Sequence, residues 1–461
     1  MHSFVTTLYK SWRERSLPTA GSARRYALLF WLGLTSVLAC SKGDALSFGP
    51  SENDDRFGEE DRDNTPSVPC QIKDPRTRII GTVYDPKGRL PIYNAIVYVP
   101  TEPVKPLVDG ATCNQCGTPV SGAPAAVTLT GPDGRFVLSN VPAGENIPLV
   151  IQIGKWRRQI TIPSVAACSD TAMDDPEVMR LPRNRSEGDI PSIALVTGMA
   201  DRFQCMFLNM GLDPAELTNP DGPGHVHFYA GVGGEVIDAN TPPATTLWSD
   251  LERMNKYDVI INACEGAVHP DTKPQTSLDN SVAYTATGGR LFLTHYHYYW
   301  IDPRKDSPTV KSPWSSAATL NPAISVASGD VKAYLDTSFP KGGALADWLK
   351  IAEPRSDRTL VDVFDARYDF LAVKPPTTRW LYAFNENDGL TAPLHYTFNT
   401  PREASAENQC GKVLFSDFHV VATDEACVTD NPRPQQKILQ FMLFDLFSCV
   451  QSDAIPPILP R

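Results

Sequence analysis

The feature that most constrains the fold is a series of short, mainly apolar segments in the second half of the chain. Three of them are rich in Ile, Leu, Val and Phe: 192–197, 257–264 and 290–295. Such segments are typical of strands buried on both faces of a parallel sheet. The segments between them carry apolar residues at helical spacing, and we expect helices at 201–210, 246–255, 277–287 and 435–447. The alternation predicts an α/β domain with a mostly parallel sheet over residues 190–450.

Residues 76–168 follow a different pattern, in which short β-rich segments alternate with turn signals. Segments 79–84 and 95–99 are examples, and Asp-Pro-Lys-Gly at 85–88 separates them. This spacing predicts a small all-β sandwich. An insertion at about 103–125 interrupts it. We expect a linker and a tail outside the two domains, at 169–189 and 451–461.

The N-terminus has the features of an export signal. Arg24 and Arg25 precede an apolar run, residues 26–38, that is too short to span a bilayer as a helix. The run ends Val-Leu-Ala-Cys at Cys40, which resembles the bacterial lipobox. The resemblance implies a signal peptide at 1–39 and a lipid on Cys40. The alternative is an ordinary secretory signal with a chance cysteine.

The residues after Cys40 and the net charge of the chain indicate where the mature protein lies and which partners it excludes. Ser41, rather than Asp, follows the lipobox, which implies the outer membrane by resemblance to Gram-negative lipoproteins. Residues 40–75 are rich in Asp, Glu, Ser, Gly and Pro, and this predicts a flexible tether. The net charge of −11 argues against a nucleic-acid partner.

The chain has ten cysteines. Export to an oxidising compartment makes disulfide bonds the default. Apart from Cys40 the number is odd, so at least one thiol stays free or pairs between chains. Cys113 and Cys116 have the spacing of zinc ligands. We favour instead two disulfide bonds within one set of four: Cys70, Cys113, Cys116 and Cys168.

Three motifs in the first domain resemble the carboxypeptidase regulatory-like family. They are G-x-V-x-D-x-x-G at 81–88, D-G-x-F-x-L at 133–138 and V-P-A-G at 141–144. The resemblance implies a structural or weakly carbohydrate-binding accessory domain. A spacer that lifts the next domain off the membrane is the role we favour.

The second domain resembles the class I glutamine amidotransferase-like fold, in its ThuA-like branch, which implies a flavodoxin-like α/β domain. Four stretches carry the resemblance: 197–198, 257–260, 288–295 and 411–419. True amidotransferases carry a cysteine nucleophile in the turn after the central strand, where this chain has His295. Glutaminase chemistry is therefore not expected. The two domains after a lipobox also resemble uncharacterised myxobacterial lipoproteins.

Polar residues follow three of the predicted strands. Ligands of such sheets bind outside the carboxyl ends of the strands, where this chain has Cys264-Glu265, His295-Tyr296-His297 and Asp417-Phe418-His419. Cys264 could act as a nucleophile, with His295 or His419 as base and Glu265 orienting that base. The favoured alternative is a buried or disulfide-bonded cysteine.

Histidines offer a second kind of chemistry at these strand ends. Two H-x-H pairs occur among eight histidines, at 225–227 and 295–297, and two imidazoles on one side of an extended chain suit zinc. The metal-ligand candidates are His227, His295, His297 and His419, with His225 and Asp417 as further possible members. The alternative is that neighbouring groups satisfy these histidines.

The aromatic run at 296–300 has two interpretations. Exposed rings would stack on a sugar, whereas buried rings would close the sheet edge. The predicted ligand-binding residues are His295, Tyr296, His297, Trp300, Asp417 and His419. The leading hypothesis is a lipid-anchored envelope protein that binds a glycan or small polar ligand without turnover. The alternatives are a metal-assisted or Cys-dependent hydrolase of envelope glycan or peptide, and an adhesion scaffold.

Overall fold

The computed structural model describes residues 76–323, 331–354, 359–385, 390–421 and 426–460. The predicted signal peptide, Cys40, the tether and Cys70 lie outside these residues. Within them, no helix has both the length and the apolar character needed to cross a membrane.

The first part of the chain is built from two small sheets. Their strands are β1 Arg78–Thr82, β2 Ile96–Pro100, β3 Pro124–Leu129, β4 Arg135–Ser139, β5 Gly144–Ile153, β6 Trp156–Val165 and β7 Asp170–Met173. One sheet has the order β4-β1-β7 and the other β3-β2-β5-β6. Both supply buried side chains to one core, such as Ile79 and Phe136 from the first and Val97 and Ile151 from the second. The β-rich character expected here is confirmed.

The second part contains the large sheet and the helices. Its strands are β8 Ile193–Thr197, β9 Leu217–Thr218, β10 Val226–Ala230, β11 Val259–Asn262, β12 Arg290–Thr294, β13 Ala318–Leu320, β14 Val331–Leu335, β15 Leu360–Val363, β16 Phe370–Val373, β17 Thr378–Asn385, β18 Leu390–Thr400 and β19 Gly411–Ser416. Its helices are α1 Gln204–Asn209, α2 Ala244–Trp248, α3 Leu251–Met254, α4 Gln275–Ala286, α5 Pro340–Ala352 and α6 Pro434–Phe447.

The large sheet is mixed rather than mostly parallel. Its ten strands have the order β15-β14-β17-β18-β19-β12-β11-β8-β10-β9. The ladders from β9 to β19 are parallel, and those from β19 to β15 are antiparallel. The parallel half matches the predicted α/β pattern. The antiparallel half corrects the prediction, since it comes from the segment between β12 and β19.

The predicted helices are found with adjusted bounds. The one expected at 246–255 is two helices, α2 and α3, because Asp250 leaves the helical conformation and caps α3. Its Oδ1 accepts a hydrogen bond from the backbone N–H of Arg253 at 3.0 Å. Helix α4 ends before Gly288, whose φ of +120° suits glycine alone.

Helix α6 joins the two parts into one core. Its residues from Gln435 to Phe447 are all buried. Phe444 and Phe447 pack on Trp156 of the first part at ring-centroid distances of 5.6 and 5.5 Å. A Cβ on Gly154 would lie 1.9 Å from the carbonyl oxygen of Phe447, so the β5–β6 turn touches the helix backbone. The predicted boundaries at 168 and 190 stay predictions, but no gap in packing separates the two parts.

Disulfide bonds also join the two parts. Cys113 pairs with Cys410 and Cys116 with Cys449, across sequence separations of 297 and 333. The prediction that Cys113 and Cys116 pair within the first domain, and its zinc alternative, are therefore wrong. The reason is that the insertion lies against the end of the second part, where the Cys116 N–H bonds the Val450 carbonyl at 3.0 Å.

The other cysteines complete this pattern. Cys205 pairs with Cys427, and Cys168 is disulfide-bonded as well. Within the described part of the chain, Cys264 is the cysteine that keeps a free thiol.

Four charged side chains are buried between α5, β19 and α6, and we name them the Lys–Asp quartet: Lys341, Lys412, Asp445 and Asp453. Every Lys–Asp pair among them is 2.8 or 3.0 Å apart. Asp453 also accepts a hydrogen bond from the Thr397 hydroxyl at 2.7 Å. Burial lowers the pKa of Lys341, but Asp445 and Asp453 outweigh it and hold that pKa above its usual value. The quartet is fully paired, as burial of charge requires.

Candidate functional site

Three strand ends bring a thiol and two imidazoles together. Cys264 follows β11, His295 follows β12 and His419 follows β19, and these three parallel strands are adjacent in the sheet. The Sγ atom of Cys264 lies 3.3 Å from Nδ1 of His295. The rings of His295 and His419 have centroids 4.3 Å apart. One ligand atom from each residue lies within 4.8 Å of the other two. We call these residues the Cys–His cluster.

The Cys–His cluster is buried and incompletely bonded. Cys264 is fully buried and His295 is 7% exposed, while the side chain of His419 is 14% exposed. Among the described residues, the Nε2 atoms of His295 and His419 have no well-aligned hydrogen-bond partner, although the backbone of Asp365 approaches the His295 ring. Nearly all buried polar atoms in proteins have a hydrogen-bond partner. Two unpaired ring nitrogens beside a free thiol therefore indicate a candidate ligand-binding site.

His295 occupies a sharp turn between β12 and a 3₁₀ helix at His295–Trp300. Its φ of +53° is left-handed, which costs a residue other than glycine about 1–3 kcal/mol. Such strain persists where the surrounding structure imposes it, and it is concentrated at functional sites. The turn aims the imidazole at the strand ends instead of along the sheet.

Two aspartates and a glycine hold the cluster in place. The buried carboxylate of Asp201 accepts the backbone N–H groups of Val420 and Val421 at 3.1 and 3.0 Å, which fixes the chain beside His419. The Asp365 carboxylate lies 3.5 Å from Nδ1 of His419. At Gly198, a Cβ would lie 2.1 Å from the carbonyl oxygen of Cys264, so only glycine allows β8 to end this close.

Burial keeps the thiol and the imidazole neutral. It raises the pKa of Cys264 to about 12. It also lowers the pKa of His295 well below its ordinary value, and the neighbouring His419 and Arg367 lower it further. A thiol nucleophile needs the thiolate form. The arrangement therefore does not provide the activated cysteine of the Cys-dependent hydrolase hypothesis.

Two predicted site residues bond elsewhere. Glu265 binds Lys273 at 2.5 Å and the backbone N–H of Val232 at 2.7 Å, so it does not orient His295 or His419. His297 bonds the Ala263 carbonyl through Nε2 at 2.9 Å and accepts the Trp300 indole N–H through Nδ1 at 3.0 Å. His297 therefore has no nitrogen left for a metal. The two histidines of an H-x-H pair share a side only where the chain is extended, whereas this chain turns at His295.

His227 and Asp417 also lie outside the Cys–His cluster. The ring nitrogens of His227 contact the Tyr257 hydroxyl at 3.1 Å and the Gly224 carbonyl at 3.0 Å. One carboxyl oxygen of Asp417 accepts the Asp369 N–H at 2.8 Å. Burial and Asp369 raise the pKa of Asp417 well above its ordinary value, which favours the protonated form. The other predicted histidine, His225, contacts Glu216 at 3.2 Å.

The aromatic run closes the sheet edge. Tyr298, Tyr299 and Trp300 are 2%, 0% and 0% exposed and belong to the core. Tyr296 is half-buried, and its ring lies under the Arg367 guanidinium at 4.2 Å. The predicted role of Trp300 in stacking on a ligand is wrong, because its ring has no open face.

A separate cavity of about 350 Å³ lies between the insertion and the end of the chain. Cys113, Cys116 and Cys449 line it, with Lys155 and Arg157. Lys155 pairs with Asp258 and Arg157 with Asp189, so these two cations are neutralised. None of the predicted site residues lines this cavity.

The sequence reasoning missed Asp201 and Asp365. Asp201 follows β8, which is next to β11 in the sheet. Ligands bind outside the carboxyl ends of parallel strands, and this rule predicts Asp201 as well as the residues after the other strands. Asp365 follows β15 in the antiparallel half, which the sequence did not predict.

No family model and no curated protein matches the chain. Among solved structures, a ThuA-like protein from Bacteroides uniformis is 12% identical with a TM-score of 0.32, over 54% of this chain and 88% of that one. A cytoplasmic protein from Salmonella typhimurium is 13% identical with a TM-score of 0.27, over 48% and 80%. The N-terminal domain of mmIFT52 is 11% identical with a TM-score of 0.26, over 48% and 84%. Likenesses at this level assign neither a family nor a function.

Proposed function

We propose that this chain is a lipid-anchored protein of the cell envelope that binds a small polar ligand at the Cys–His cluster. In this proposal, residues 1–39 are a signal peptide and Cys40 carries the lipid in the outer membrane. A carboxypeptidase regulatory-like part supports a ThuA-like α/β part. The lipobox-like sequence supports the address, and the two small sheets and the parallel half-sheet support the architecture.

The unpaired ring nitrogens of His295 and His419 carry the proposal. They lie at the carboxyl ends of adjacent parallel strands, where α/β sheets hold their ligands. A ligand that bonds these nitrogens would remove the cost of leaving them buried and unpaired. The buried rings of Tyr298, Tyr299 and Trp300 argue for a small polar ligand over a stacked sugar.

A metal-assisted hydrolase is the second candidate. The left-handed turn at His295 favours it, because such strain is typical of positions where a side chain acts on a ligand. The neutral thiol of Cys264 argues against the Cys-dependent version. If the protein were only a structural scaffold, the unpaired ring nitrogens of His295 and His419 would have no role.

The test is ligand-dependent stability of the purified full chain. Amino acids, short peptides, sugars and sugar phosphates are screened by thermal unfolding against the wild type, His295→Gln and the control His227→Gln. We expect a compound that stabilises the wild type and the control but not His295→Gln. Equal stabilisation of His295→Gln would place binding elsewhere, and no stabilisation by any compound would contradict the proposal.

A further inference from the structure

The Cys–His cluster has the donor set of a transition-metal site. Thiolate sulfur and imidazole nitrogen are the ligands that zinc and similar ions prefer. In a tetrahedral zinc site, with Zn–S about 2.3 Å and Zn–N about 2.0–2.1 Å, the ligand atoms lie about 3.3–3.6 Å from each other. The Cys264 Sγ to His295 Nδ1 distance is 3.3 Å. The third residue, His419, keeps all three ligand atoms within 4.8 Å, which small side-chain rotations would close.

An unpaired nitrogen is an independent observation that points to a ligand. Among the described residues, Nε2 of His419 has no hydrogen-bond partner, and the side chain of His419 is 14% exposed. His295 is 7% exposed, and its Nδ1 atom, which faces Cys264, is the nitrogen that a shared ion would take. The thiol–imidazole hydrogen bond and the Asp365 contact still leave Nε2 of His419 without a partner among the described residues, so they do not account for the arrangement. One cation with several coordination positions can bind all three side chains.

We infer that Cys264, His295 and His419 coordinate one transition-metal ion of the zinc class. The inference rests on the proposed function, since it names the ligand class of the same site. Three protein ligands leave a fourth position for water or a small polar molecule, as in zinc sites that act on substrates. His297 and His227, which the sequence suggested as ligands, take no part, because both of their ring nitrogens are bonded.

Asp365 is the positioning residue of this site. Its carboxylate faces Nδ1 of His419 at 3.5 Å, which leaves Nε2 of that ring for the metal. A carboxylate behind a metal-bound histidine fixes the ring orientation and its tautomer. The buried Asp201 holds the backbone beside His419. A thiolate, two neutral imidazoles and a divalent ion leave one positive charge, which the Asp365 carboxylate offsets.

The experiment measures metal binding by the full chain in its disulfide-bonded form. The protein is stripped with a chelator and titrated with Zn²⁺ and, separately, with Co²⁺. We expect about one equivalent of either ion. Bound Co²⁺ should show a sulfur-to-cobalt charge-transfer band, because Cys264 is the ligand. Cys264→Ser, His295→Gln and His419→Gln should each bind at least about tenfold more weakly, and His227→Gln should bind like the wild type.

Two results would overturn the inference. One is a folded wild type, by circular dichroism, that takes up neither ion. The other is a cobalt spectrum without the sulfur band, which decides the matter even where the variants fail to fold. Failure of the proposed function is distinguishable: metal uptake without stabilisation by any small molecule would remove the small-molecule binder and keep the metal. Stabilisation lost in His295→Gln without metal uptake would do the reverse.

Discussion

The Lys–Asp quartet and the Cys–His cluster lie at opposite ends of the same strand. Lys412 is in β19, near its start, and His419 follows its end. Both groups are buried polar sets that connect several elements. In the quartet, every Lys–Asp pair is within 3.0 Å. In the Cys–His cluster, Nε2 of His295 and Nε2 of His419 have no well-aligned partner in the part of the chain that the structure describes.

The difference separates a structural role from a functional one. Burying a charge is tolerated when hydrogen bonds and opposite charges surround it, and the quartet meets that condition without any ligand. The Cys–His cluster is neutral but leaves ring nitrogens without well-aligned partners among the described residues, and His295 adds a left-handed backbone. A buried polar group whose bonds are incomplete within the protein needs a partner from outside. If complete pairing distinguishes the two groups, substitutions in the quartet should cost stability and substitutions in the Cys–His cluster should cost ligand binding.

The largest effect is expected in the quartet. Asp445→Asn removes a carboxylate that contacts Lys341 and Lys412 at 2.8 Å. It leaves two buried ammonium groups with one carboxylate, and we expect a loss of about 3–5 kcal/mol in the free energy of unfolding. Denaturant unfolding measures it. Asp430→Asn is the control, since its carboxyl is exposed and should matter little. A similar loss in both variants would show that the quartet adds no special stability.

His395 tests whether unpaired ring nitrogens are enough, by themselves, to indicate a ligand-binding site. Among the described residues, both ring nitrogens of His395 lack partners, but the ring packs between Phe292 and Phe418 and does not belong to the Cys–His cluster. Burial lowers its pKa to about 3, below the ordinary value of 6.5. The unfolded chain then binds the proton first. The stability that neutral His395 contributes is present above pH 6.5 and is lost as the pH falls toward 3.

The measurement compares the wild type with His395→Phe at several pH values. Between pH 6.5 and 4.5 the wild type should lose about 2–3 kcal/mol more than the variant. The difference between the two proteins is the readout because Asp85, whose pKa burial raises to about 6, changes stability in the opposite sense in both. The Lys–Asp quartet should not change the pH dependence of stability between pH 6.5 and 4.5, since the pKa values of Asp445 and Asp453 are lowered from 3.8. Parallel curves would contradict the prediction.

The sequence predicted most of the parallel half-sheet because buried parallel strands are continuous apolar segments. It predicted Cys264, His295 and His419 because strand ends of one sheet share an edge. It failed where the answer depends on distant packing. The partners of Cys113 and Cys116 depend on where the insertion lies, and this is not encoded locally. The antiparallel half was missed because β18 includes polar residues and a proline at 393, which obscure the alternation.

Local conformation explains the other failures. His295 and His297 would share a side of an extended chain, but the 3₁₀ helix starts at His295 and sends the two rings to different partners. The same aromatic run fits an exposed platform or a buried edge, and only the packing of Trp300 against Trp248 decides for the buried edge. The residue types at the strand ends were enough to predict where the candidate site lies. They were not enough to predict which of those residues could bind a ligand.

Asp365→Asn should weaken the metal site without unfolding the protein. The amide keeps the size of the side chain but removes the charge behind His419. Loss of such a group costs about 10–100-fold in metal affinity. Competition with a zinc chelator measures the dissociation constant, and Asp362→Asn, an exposed aspartate of β15, is the matched control. Equal affinity in both variants would show that Asp365 does not position His419.

The smallest effect on stability is expected at His295. Asparagine is among the residues that best tolerate a left-handed φ, and the hydrogen bond that the change removes, between Nδ1 of His295 and the Cys264 thiol, contributes about 1 kcal/mol. In metal-free protein, His295→Asn should therefore change the free energy of unfolding by no more than about 1 kcal/mol, while it abolishes the proposed metal binding. Denaturant unfolding in the presence of a chelator gives the first value and the cobalt titration the second. A loss as large as that of Asp445→Asn would place His295 with the structural residues, because its strained conformation would then serve the fold itself. A small loss of stability together with lost metal binding would mean that the surrounding fold holds His295 in its strained conformation and that this conformation serves ligand binding.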